Sequence, residues 1–185
     1  MTPSPIPQEA GPAAPREADG SAGEPVFDAV FDVRHLPITD PAAAPMLQAL
    51  GEQYDSLYGP LAADEMTRFP GHEFDPPDGA FVLLFEHGEA VAGGAFRRYD
   101  ATTAEFKRIW THQDHRRRGL ARKVLDELER TAAERGYTRI YLTTGPRQPE
   151  AKGLYLATGY TALFDTDAPP FAPWPFEKAI SRAAA

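Results

Sequence analysis

The sequence contains no cysteine, and that absence removes several kinds of chemistry at once. Disulfide bonds, thiolate metal sites and a cysteine nucleophile are all excluded. Long apolar runs are missing too: stretches such as Ala80–Phe85 fall far short of the roughly 20 residues that span a bilayer. The first residues also lack the basic start and apolar core of a secretory signal. We therefore expect a cytoplasmic protein with no membrane partner.

Basic residues are in the minority, and they are unevenly placed. The chain has 19 Lys and Arg against 27 Asp and Glu, a formal net charge of −8, which disfavours nucleic acid as a partner. Between Glu52 and Glu105 there are 11 acidic residues and three arginines, whereas Phe106 to Arg147 holds 11 basic and five acidic residues. The first stretch suits a cation and the second an anion, unless both are simply solvated faces.

The 185 residues predict one folded domain, because two domains of that total length would each bury too little surface. Residues 1–25 are rich in Pro, Ala, Gly and Glu and have almost nothing apolar to bury, so we expect a disordered tail there. The folded domain is expected over residues 26–185.

The pattern of apolar and turn residues predicts strands and helices in succession. His87 and Gly88 link two apolar runs and indicate a hairpin. The expected strands begin with one that starts at Val26 and continue with Ala80–Glu86, Glu89–Arg98, Ala104–Thr111, Arg139–Thr143, Tyr160–Phe164 and Phe176–Ile180. The expected helices run from Asp40 to Tyr58, from Pro60 to Arg68, from Arg118 to Gly136 and from Pro149 to Thr158.

The segment Arg116-Arg117-Arg118-Gly119-Leu120-Ala121 lies between a predicted strand and a predicted helix. Three arginines at a helix N-terminus oppose the helix dipole, at about 0.3–1 kcal/mol each, so they indicate a bound anion. Free N–H groups of the first helical turn would bind a diphosphate that Gly119 and Ala121 allow to approach, and the arginines would neutralise it. A solvated basic cluster is the alternative.

Two motifs together resemble a known family. The pattern R-x-x-G-x-A at Arg116, Gly119 and Ala121, behind the strand Glu105–Trp110, resembles the pyrophosphate-binding motif of the GNAT superfamily of N-acetyltransferases. The later run Glu150–Tyr160 is similar to the second signature of that family, a helix that carries a tyrosine and ends in Gly-Tyr or Gly-Phe. In this order and spacing the pair is fairly specific, and the resemblance covers residues 26 to 180.

The resemblance implies an α/β (mixed α+β) fold: a GNAT-like mixed, largely antiparallel sheet of six or seven strands, with a splayed central strand pair and four flanking helices. It implies acetyl-CoA as cosubstrate, no metal, and direct transfer of the acetyl group to a primary amine in a ternary complex. The acidic stretch favours a small cationic amine as the acceptor. The sequence is also compatible with a homodimer. The residues expected to bind the cofactor, the first four through their backbones, are Ile109, Trp110, Thr111, His112, Arg116, Arg117, Arg118, Gly119, Leu120, Ala121, Arg122 and Gln148.

Two side chains are candidates for catalysis. Tyr155 takes the position of the family's frequent general acid, whose hydroxyl points to the CoA sulfur, whereas Tyr160 is expected to be structural. Glu105 lies eleven residues before Arg116, where some family members place a catalytic glutamate, and it is the first candidate for the base. Water or another acid is the alternative. Gln148 stands where the family often has an Asn that bonds to the pantetheine.

Other signals are weaker. His112-x-x-His115 has no third ligand nearby, so we interpret it as incidental rather than as a metal site. The run Pro169–Phe176 is compatible with an acceptor wall or with a rigid packed loop. Two other functions remain open at this point: a non-catalytic acyl-CoA-binding protein and, against the net charge, a nucleic-acid-binding protein.

Overall fold

The structure is a computed structural model that describes residues 31–59 and 65–181. Within these residues the chain forms a seven-stranded sheet and three α-helices. The strands are β1 (Asp32–His35), β2 (Ala80–Glu86), β3 (Glu89–Arg98), β4 (Thr103–Thr111), β5 (Arg139–Thr144), β6 (Thr161–Ala162) and β7 (Trp174–Ala179). The helices are α1 (Ala44–Tyr58), α2 (Leu120–Glu134) and α3 (Pro149–Ala157). The expected tail, residues 1–25, lies outside the described part.

The strands lie in the order β1-β2-β3-β4-β5-β7-β6. Every neighbouring pair is antiparallel except β4 and β5, which are parallel and are joined through α2. A parallel pair needs such a crossover because a tight turn cannot return the chain in the same direction. The predicted mixed, largely antiparallel sheet is confirmed.

The hairpin between β2 and β3 turns through His87 and Gly88, whose φ angles are 52° and 87°. A two-residue link in which both residues have positive φ fits the right-handed twist of the strands that it joins. Successive β2 side chains alternate between the two faces of the sheet, so that Val82 enters one core and Leu83 the other. The local turn therefore sets the register of the central sheet.

Both faces of the sheet are covered. On one face α2 buries Leu120, Val124 and Leu128 in a core that also receives side chains of α3. On the other face α1 buries Met46 and Leu50. A sheet packed on both sides is a stiff support for groups at its open edges. None of the helices that the structure describes is long and apolar enough to cross a membrane.

The described residues contain three α-helices rather than the four that the sequence predicts. The extra helix was expected from Pro60 to Arg68; residues 60–64 lie outside the described part, and Glu65–Thr67 form a turn. The backbone carbonyl of Met66 accepts a hydrogen bond of 2.8 Å from the guanidinium of Arg108 on β4. A long-range contact thus takes up a carbonyl that a helix would use internally, and local propensity alone could not predict it.

The central strands β4 and β5 are paired over only the first half of their length and then separate. Their described pairing starts at Thr103 opposite Arg139 and ends at Phe106 opposite Leu142. Beyond that point β4 stays paired with β3 as far as Thr111, while β5 stays paired with β7. The sheet therefore opens into a V on the side toward which both strands run, as the predicted splayed pair requires.

Candidate active site

The turn that leads into α2 carries the predicted anion-binding features. Arg117 and Gly119 both have positive φ, 61° and 76°, and Gly119 caps the helix without a side-chain hydrogen bond. The first backbone N–H that forms a helical hydrogen bond is that of Lys123, which donates to the carbonyl of Gly119 at 3.2 Å. The amides before it are those that an α-helix leaves without an internal partner. The turn follows β4, so these N–H groups lie at the open end of the V.

The three arginines of this turn are not equivalent. The guanidinium of Arg118 forms two hydrogen bonds to Glu86, of 2.8 Å and 2.6 Å, and this donation lowers the pKa of the Glu86 carboxyl. Arg116 and Arg117 are exposed and form no ion pair with any described residue. Arg122 donates to the carbonyl of Ala157 at the end of α3, at 3.3 Å. Two guanidinium groups of the motif therefore stay available to an anion, while Arg118 ties the turn to the sheet.

The strand β4 is irregular where the V opens. Gly93 pairs with Trp110 and Ala95 with Lys107, so that Arg108 and Ile109 together face the single residue between them on β3. This is a β-bulge, and Arg108 takes the left-handed conformation with a φ of 59°. A bulge turns the strand and changes the direction in which its side chains point.

The four residues expected to act through their backbones lie just after this bulge. Ile109 points to the α2 side, and Trp110 is 6% exposed within the α1-side core. The backbone N–H of His112 donates to the carbonyl of Val91 at 2.9 Å, so that the end of β4 is held on one edge. The Trp110 side chain therefore packs in the core. Only the backbone of this residue is available for the cofactor contact that the resemblance implies.

Tyr155 projects from α3 into the core on the α2 side. It is 5% exposed, and its ring packs against Tyr160 at 5.6 Å and Phe176 at 5.4 Å between centroids. Burial, followed by the nearby Tyr54 hydroxyl, raises the pKa of Tyr155 well above that of an ordinary tyrosine. Its hydroxyl forms no hydrogen bond with a described residue. The group is a protonated donor at neutral pH without an internal acceptor.

Tyr160 differs from Tyr155 although the two rings touch. Its hydroxyl donates a hydrogen bond to Glu129 of α2 at 3.0 Å. Glu129 also accepts a hydrogen bond of 2.7 Å from the Nζ of Lys178 on β7. A tyrosine hydroxyl that is already used in a hydrogen bond between elements contributes to stability rather than to a reaction. The structural role expected for Tyr160 agrees with this geometry.

Two tyrosines of α1 lie close to the opening. Burial raises the pKa of Tyr54 to about 12, with further contributions from Glu65 and Tyr58. The hydroxyl of Tyr58 accepts a hydrogen bond of 3.2 Å from the backbone N–H of Arg147, just after β5. The C-terminal half of α1 is therefore held against the strand that forms one arm of the V.

Glu105 lies on the paired half of β4, before the bulge. It is 5% exposed; one carboxylate oxygen accepts from Arg97 Nε at 2.8 Å and the other lies 3.3 Å from Lys107 Nζ. Arg97 also binds Glu73 at 2.8 Å, and Lys107 binds Glu65 at 3.1 Å. Both oxygens of Glu105 are thus occupied by cations within an alternating charge network.

Gln148 stands at the N-terminus of α3, but its side chain turns back to β5. Its Oε1 accepts from the Thr144 hydroxyl at 3.2 Å and from the Gly145 amide at 3.3 Å. The side-chain NH₂ group takes no part in these two contacts, so a hydrogen-bond donor is left at the end of β5.

Among the described residues, no group of three or more His, Asp or Glu is arranged to hold a metal ion.

A cavity of about 480 Å³ opens on the α1 side of β4. Its wall is largely apolar, and Asp40 and Arg108 are the two charged residues in it. The residues that line it are Ile38, Thr39, Asp40, Pro41, Ala44, Leu47, Met66, Phe69, Gly71 and Arg108. Arg108 is also the residue of the bulge, so this cavity adjoins the point where the strands separate.

The sequence did not identify Arg108, Tyr54 or Tyr58 as part of the site. Two of these are ordinary helix tyrosines whose importance depends on what lies across the V. For Arg108 a signal existed: Lys107 and Arg108 are adjacent charges in a central strand, where regular alternation would bury one of them. Such a pair indicates a bulge, because a bulge allows both side chains to leave on the same side.

Comparison with known proteins decides what this arrangement is. A profile of the Acetyltransferase (GNAT) family matches residues 44–160, which include the V, the turn into α2 and Tyr155. The chain belongs to the GNAT family. The predicted resemblance is confirmed. The chain is an acyltransferase enzyme, and its activity is the acyl-CoA-dependent N-acetyl transfer of that family.

Several known proteins are similar to this GNAT acetyltransferase. It is 26% identical over 128 residues to the uncharacterized N-acetyltransferase YsnE of Bacillus subtilis (strain 168), a match that covers 68% of this chain and 85% of that relative. A crystal structure from Klebsiella pneumoniae, assigned as an acyl-CoA N-acyltransferase, has a TM-score of 0.64 and 25% identity, covering 82% and 99% of the two chains. The PaiA N-acetyltransferase of Thermoplasma acidophilum, solved with coenzyme A, has a TM-score of 0.65 and 15% identity, covering 82% and 99%, and shows the shared fold alone.

Proposed function

We propose that this enzyme binds acetyl-CoA along the open V and transfers the acetyl group to a small primary amine in a ternary complex. The observation that carries the proposal is the turn into α2. There, amides without a partner among the described residues lie together with the exposed Arg116 and Arg117 at the wide end of the splayed strands. Amides of a first helical turn bind phosphate through both hydrogen bonds and the helix dipole. Support also comes from PaiA, which was solved with coenzyme A on the same fold.

The reaction assigned to the site forms one bond and breaks another. The amine nitrogen attacks the thioester carbonyl, the C–S bond breaks, the amine loses a proton and the departing thiolate gains one. A backbone N–H beyond the β4 bulge, at Ile109 or Trp110, is proposed to stabilise the oxyanion. Tyr155 is proposed as the donor to the sulfur, because its hydroxyl stays protonated and has no acceptor among the described residues.

The proton of the amine needs a different acceptor. The resemblance points to Glu105, but both of its oxygens are held by Arg97 and Lys107. This contact set favours the alternative that the sequence left open, in which water takes the proton. We therefore propose Glu105 as the anchor of the strand that carries the bulge.

The charge of the acceptor is a finer prediction. The acidic stretch from Glu52 to Glu105 favours a cationic amine, but six of its acids already form ion pairs with Arg, Lys or His side chains. These six are Glu65, Glu73, Asp78, Glu86, Asp100 and Glu105. The net charge of the stretch is therefore a weak guide to the acceptor, and the cationic amine stays a prediction to be tested against the cavity. Action in the cytoplasm likewise stays a prediction.

Two measurements test the proposed function. Calorimetric titration with acetyl-CoA should show one site per chain, and a thiol-release assay with an amine panel should show turnover. The chain has no cysteine, so a thiol reagent reports released coenzyme A without a protein background. Binding without turnover of any amine would favour a non-catalytic acyl-CoA-binding protein, and the absence of binding at millimolar acetyl-CoA would overturn the proposal.

A further inference from the structure

The cavity on the α1 side of β4 contains a cation, Arg108, that has no carboxylate partner among residues 31–59 and 65–181. Arg108 forms no ion pair with any described residue; its Nη2 donates to the carbonyl of Met66 at 2.8 Å, and its guanidinium lies 4.4 Å from the centroid of the Phe74 ring. The side chain is half-buried, and burial lowers its pKa from the ordinary value for arginine. A guanidinium has five N–H donors, and one carbonyl satisfies one of them.

The surroundings of Arg108 differ from those of the neighbouring cations. Arg97 and Lys107 each hold carboxylates, and Arg98 pairs with Asp78 at 3.2 Å. Arg108 lines the cavity, so its remaining donors are open to water or to a ligand that displaces the water. Carboxylate is the group that fits a guanidinium best, because its two oxygens match two parallel N–H donors.

The position of Arg108 relates this cation to the reaction. It is the bulge residue, and the backbone of Ile109, which is proposed to face the thioester oxygen, follows directly. Because the bulge directs Lys107 and Arg108 toward the same segment, residues 65–74, the guanidinium borders the cavity instead of the α2-side core. A molecule in the cavity that binds Arg108 therefore lies next to the opening of the V.

We propose that the acetyl acceptor of this site is an amino carboxylate, an amine with one carboxylate and an apolar side chain, and that Arg108 recognises the carboxylate. The inference rests on the proposed function and names its substrate class. Leu47, Met66 and Phe69 provide an apolar wall for the side chain. Asp40, whose Oδ1 accepts from the amide of Ala42 at 2.8 Å, is the other charged residue of the wall and disfavours a second anionic group. A polyamine would place one of its charges next to Arg108, whereas an amino carboxylate offers this guanidinium an anion.

The test compares leucine with three amines that lack its carboxylate. Leucine, leucinamide, isoamylamine and spermidine are assayed by thiol release with saturating acetyl-CoA. The intact protein should acetylate leucine with a kcat/KM at least about tenfold above that for leucinamide, since a hydrogen-bonded ion pair in a partly buried site contributes about ten- to hundredfold in affinity. Equal or better rates with leucinamide, isoamylamine or spermidine would overturn the proposal, and a spermidine preference would support the cationic acceptor instead.

Variants separate recognition from folding. Arg108→Gln should raise the KM for leucine about tenfold or more and leave kcat/KM for leucinamide within about twofold. Arg108→Lys keeps the charge without the fork and should lie in between. Arg98→Gln, an arginine on the neighbouring strand away from the cavity, is the matched control and should change neither substrate. An equal loss for both substrates in Arg108→Gln would show that Arg108 acts on structure and overturn its assigned role.

A binding measurement distinguishes failure of this inference from failure of the proposed function. Leucine is titrated calorimetrically into the protein with and without coenzyme A. Binding to the intact protein that is lost in Arg108→Gln supports the recognition of carboxylate even if no turnover is seen. Acetyl-CoA binding and turnover of other amines, with no leucine binding, would overturn the inference and leave the proposed function intact.

Discussion

The hydroxyl of Tyr58 occupies the space that a side chain on residue 145 would need. A Cβ placed on Gly145 would lie 1.9 Å from the Tyr58 hydroxyl oxygen and 2.5 Å from the ring carbon that carries it. The same oxygen accepts the backbone N–H of Arg147. Contact between α1 and the end of β5 is therefore as close as a glycine permits, and it holds one arm of the V.

Gly145→Ala should disturb this contact more than a single methyl group suggests. The tyrosine ring is rigid, so it has to swing away and give up its bond to Arg147, and we expect a loss of about 1–3 kcal/mol in the free energy of unfolding. The KM values for both substrates should rise as the arm moves. Denaturant unfolding measures the first effect, and the thiol-release assay the second.

A double-mutant cycle identifies the cause. In a Tyr58→Ala background, Gly145→Ala should cost much less, because the obstructing ring is gone. Gly51→Ala in the middle of α1 is the control, since nothing lies within 4 Å of a Cβ there, and it should stabilise the helix by about 1 kcal/mol. Additive costs for Gly145→Ala and Tyr58→Ala would contradict the proposed clash.

Tyr155→Phe tests the proposed acid. The change removes only a hydroxyl that has no partner among the described residues, so stability should stay within about 0.5 kcal/mol, while kcat should fall by about a hundredfold or more. Because burial raises the pKa of Tyr155, the acid form persists above pH 10, and the intact enzyme should show no loss of rate from this group as pH approaches 10. The kcat–pH profile measures this.

Tyr160→Phe is the matched control and should give the opposite result. It removes the hydrogen bond to Glu129, so the free energy of unfolding should fall by about 1–2 kcal/mol with kcat nearly unchanged. If Tyr155→Phe leaves kcat at neutral pH intact, Tyr155 is a packing residue and another group protonates the sulfur.

Much of the fold could be predicted because its signals are local. The hairpin at His87 and Gly88, the apolar face of α2 and the turn at Gly119 each depend on residues a few positions apart. The same local patterns, in their order along the chain, predict a helix between β4 and β5, and a connection through a helix is the one that a parallel pair needs. The resemblance then supplied the splay of that pair, which periodicity alone does not contain.

The details of the site depend on contacts across long distances in the sequence. The resemblance assigns Arg118 to the cofactor together with its neighbours, which stays a prediction, and the structure pairs its guanidinium with Glu86, 32 residues earlier. The left-handed conformation of Arg108 follows from a register shift against β3; the adjacent charges Lys107 and Arg108 indicate a bulge, but not which residue takes this conformation or what its side chain contacts. The residue types predict that the turn into α2 carries positive charge. Only the contacts in the folded structure show which of its arginines form no ion pair with another described residue.

Gly119→Ala tests the cradle for the diphosphate. Nothing lies within 4 Å of a Cβ at this position, but its φ of 76° makes any side chain strained by about 1–2 kcal/mol. A methyl group there also enters the space that the phosphates need, so the Kd for acetyl-CoA should rise at least about tenfold, or about 1.4 kcal/mol. Calorimetric titration of both proteins measures the change.

Gly136→Ala provides a control with nearly the same strain. Its φ is 89°, but it follows the C-terminus of α2, the end of the helix opposite to the proposed cradle. It should lose a similar amount of stability and keep the intact affinity for acetyl-CoA. If both variants lose affinity equally, the effect comes from general destabilisation, and the anion site is elsewhere.

Glu105→Gln separates an anchoring role from a base. As an anchor, Glu105 neutralises Arg97 and Lys107, so the neutral amide should lower the free energy of unfolding by about 1–3 kcal/mol. The rate of the folded enzyme should then stay within about threefold, with an unchanged pH profile.

Glu73→Gln removes the other carboxylate of Arg97 and serves as the control. It should have the same effect on stability, but a smaller one, because Glu73 is more exposed. A hundredfold loss of kcat with disappearance of the acidic limb, in Glu105→Gln and not in Glu73→Gln, would instead identify Glu105 as the base. The cations around it would then serve to orient the carboxylate toward the amine.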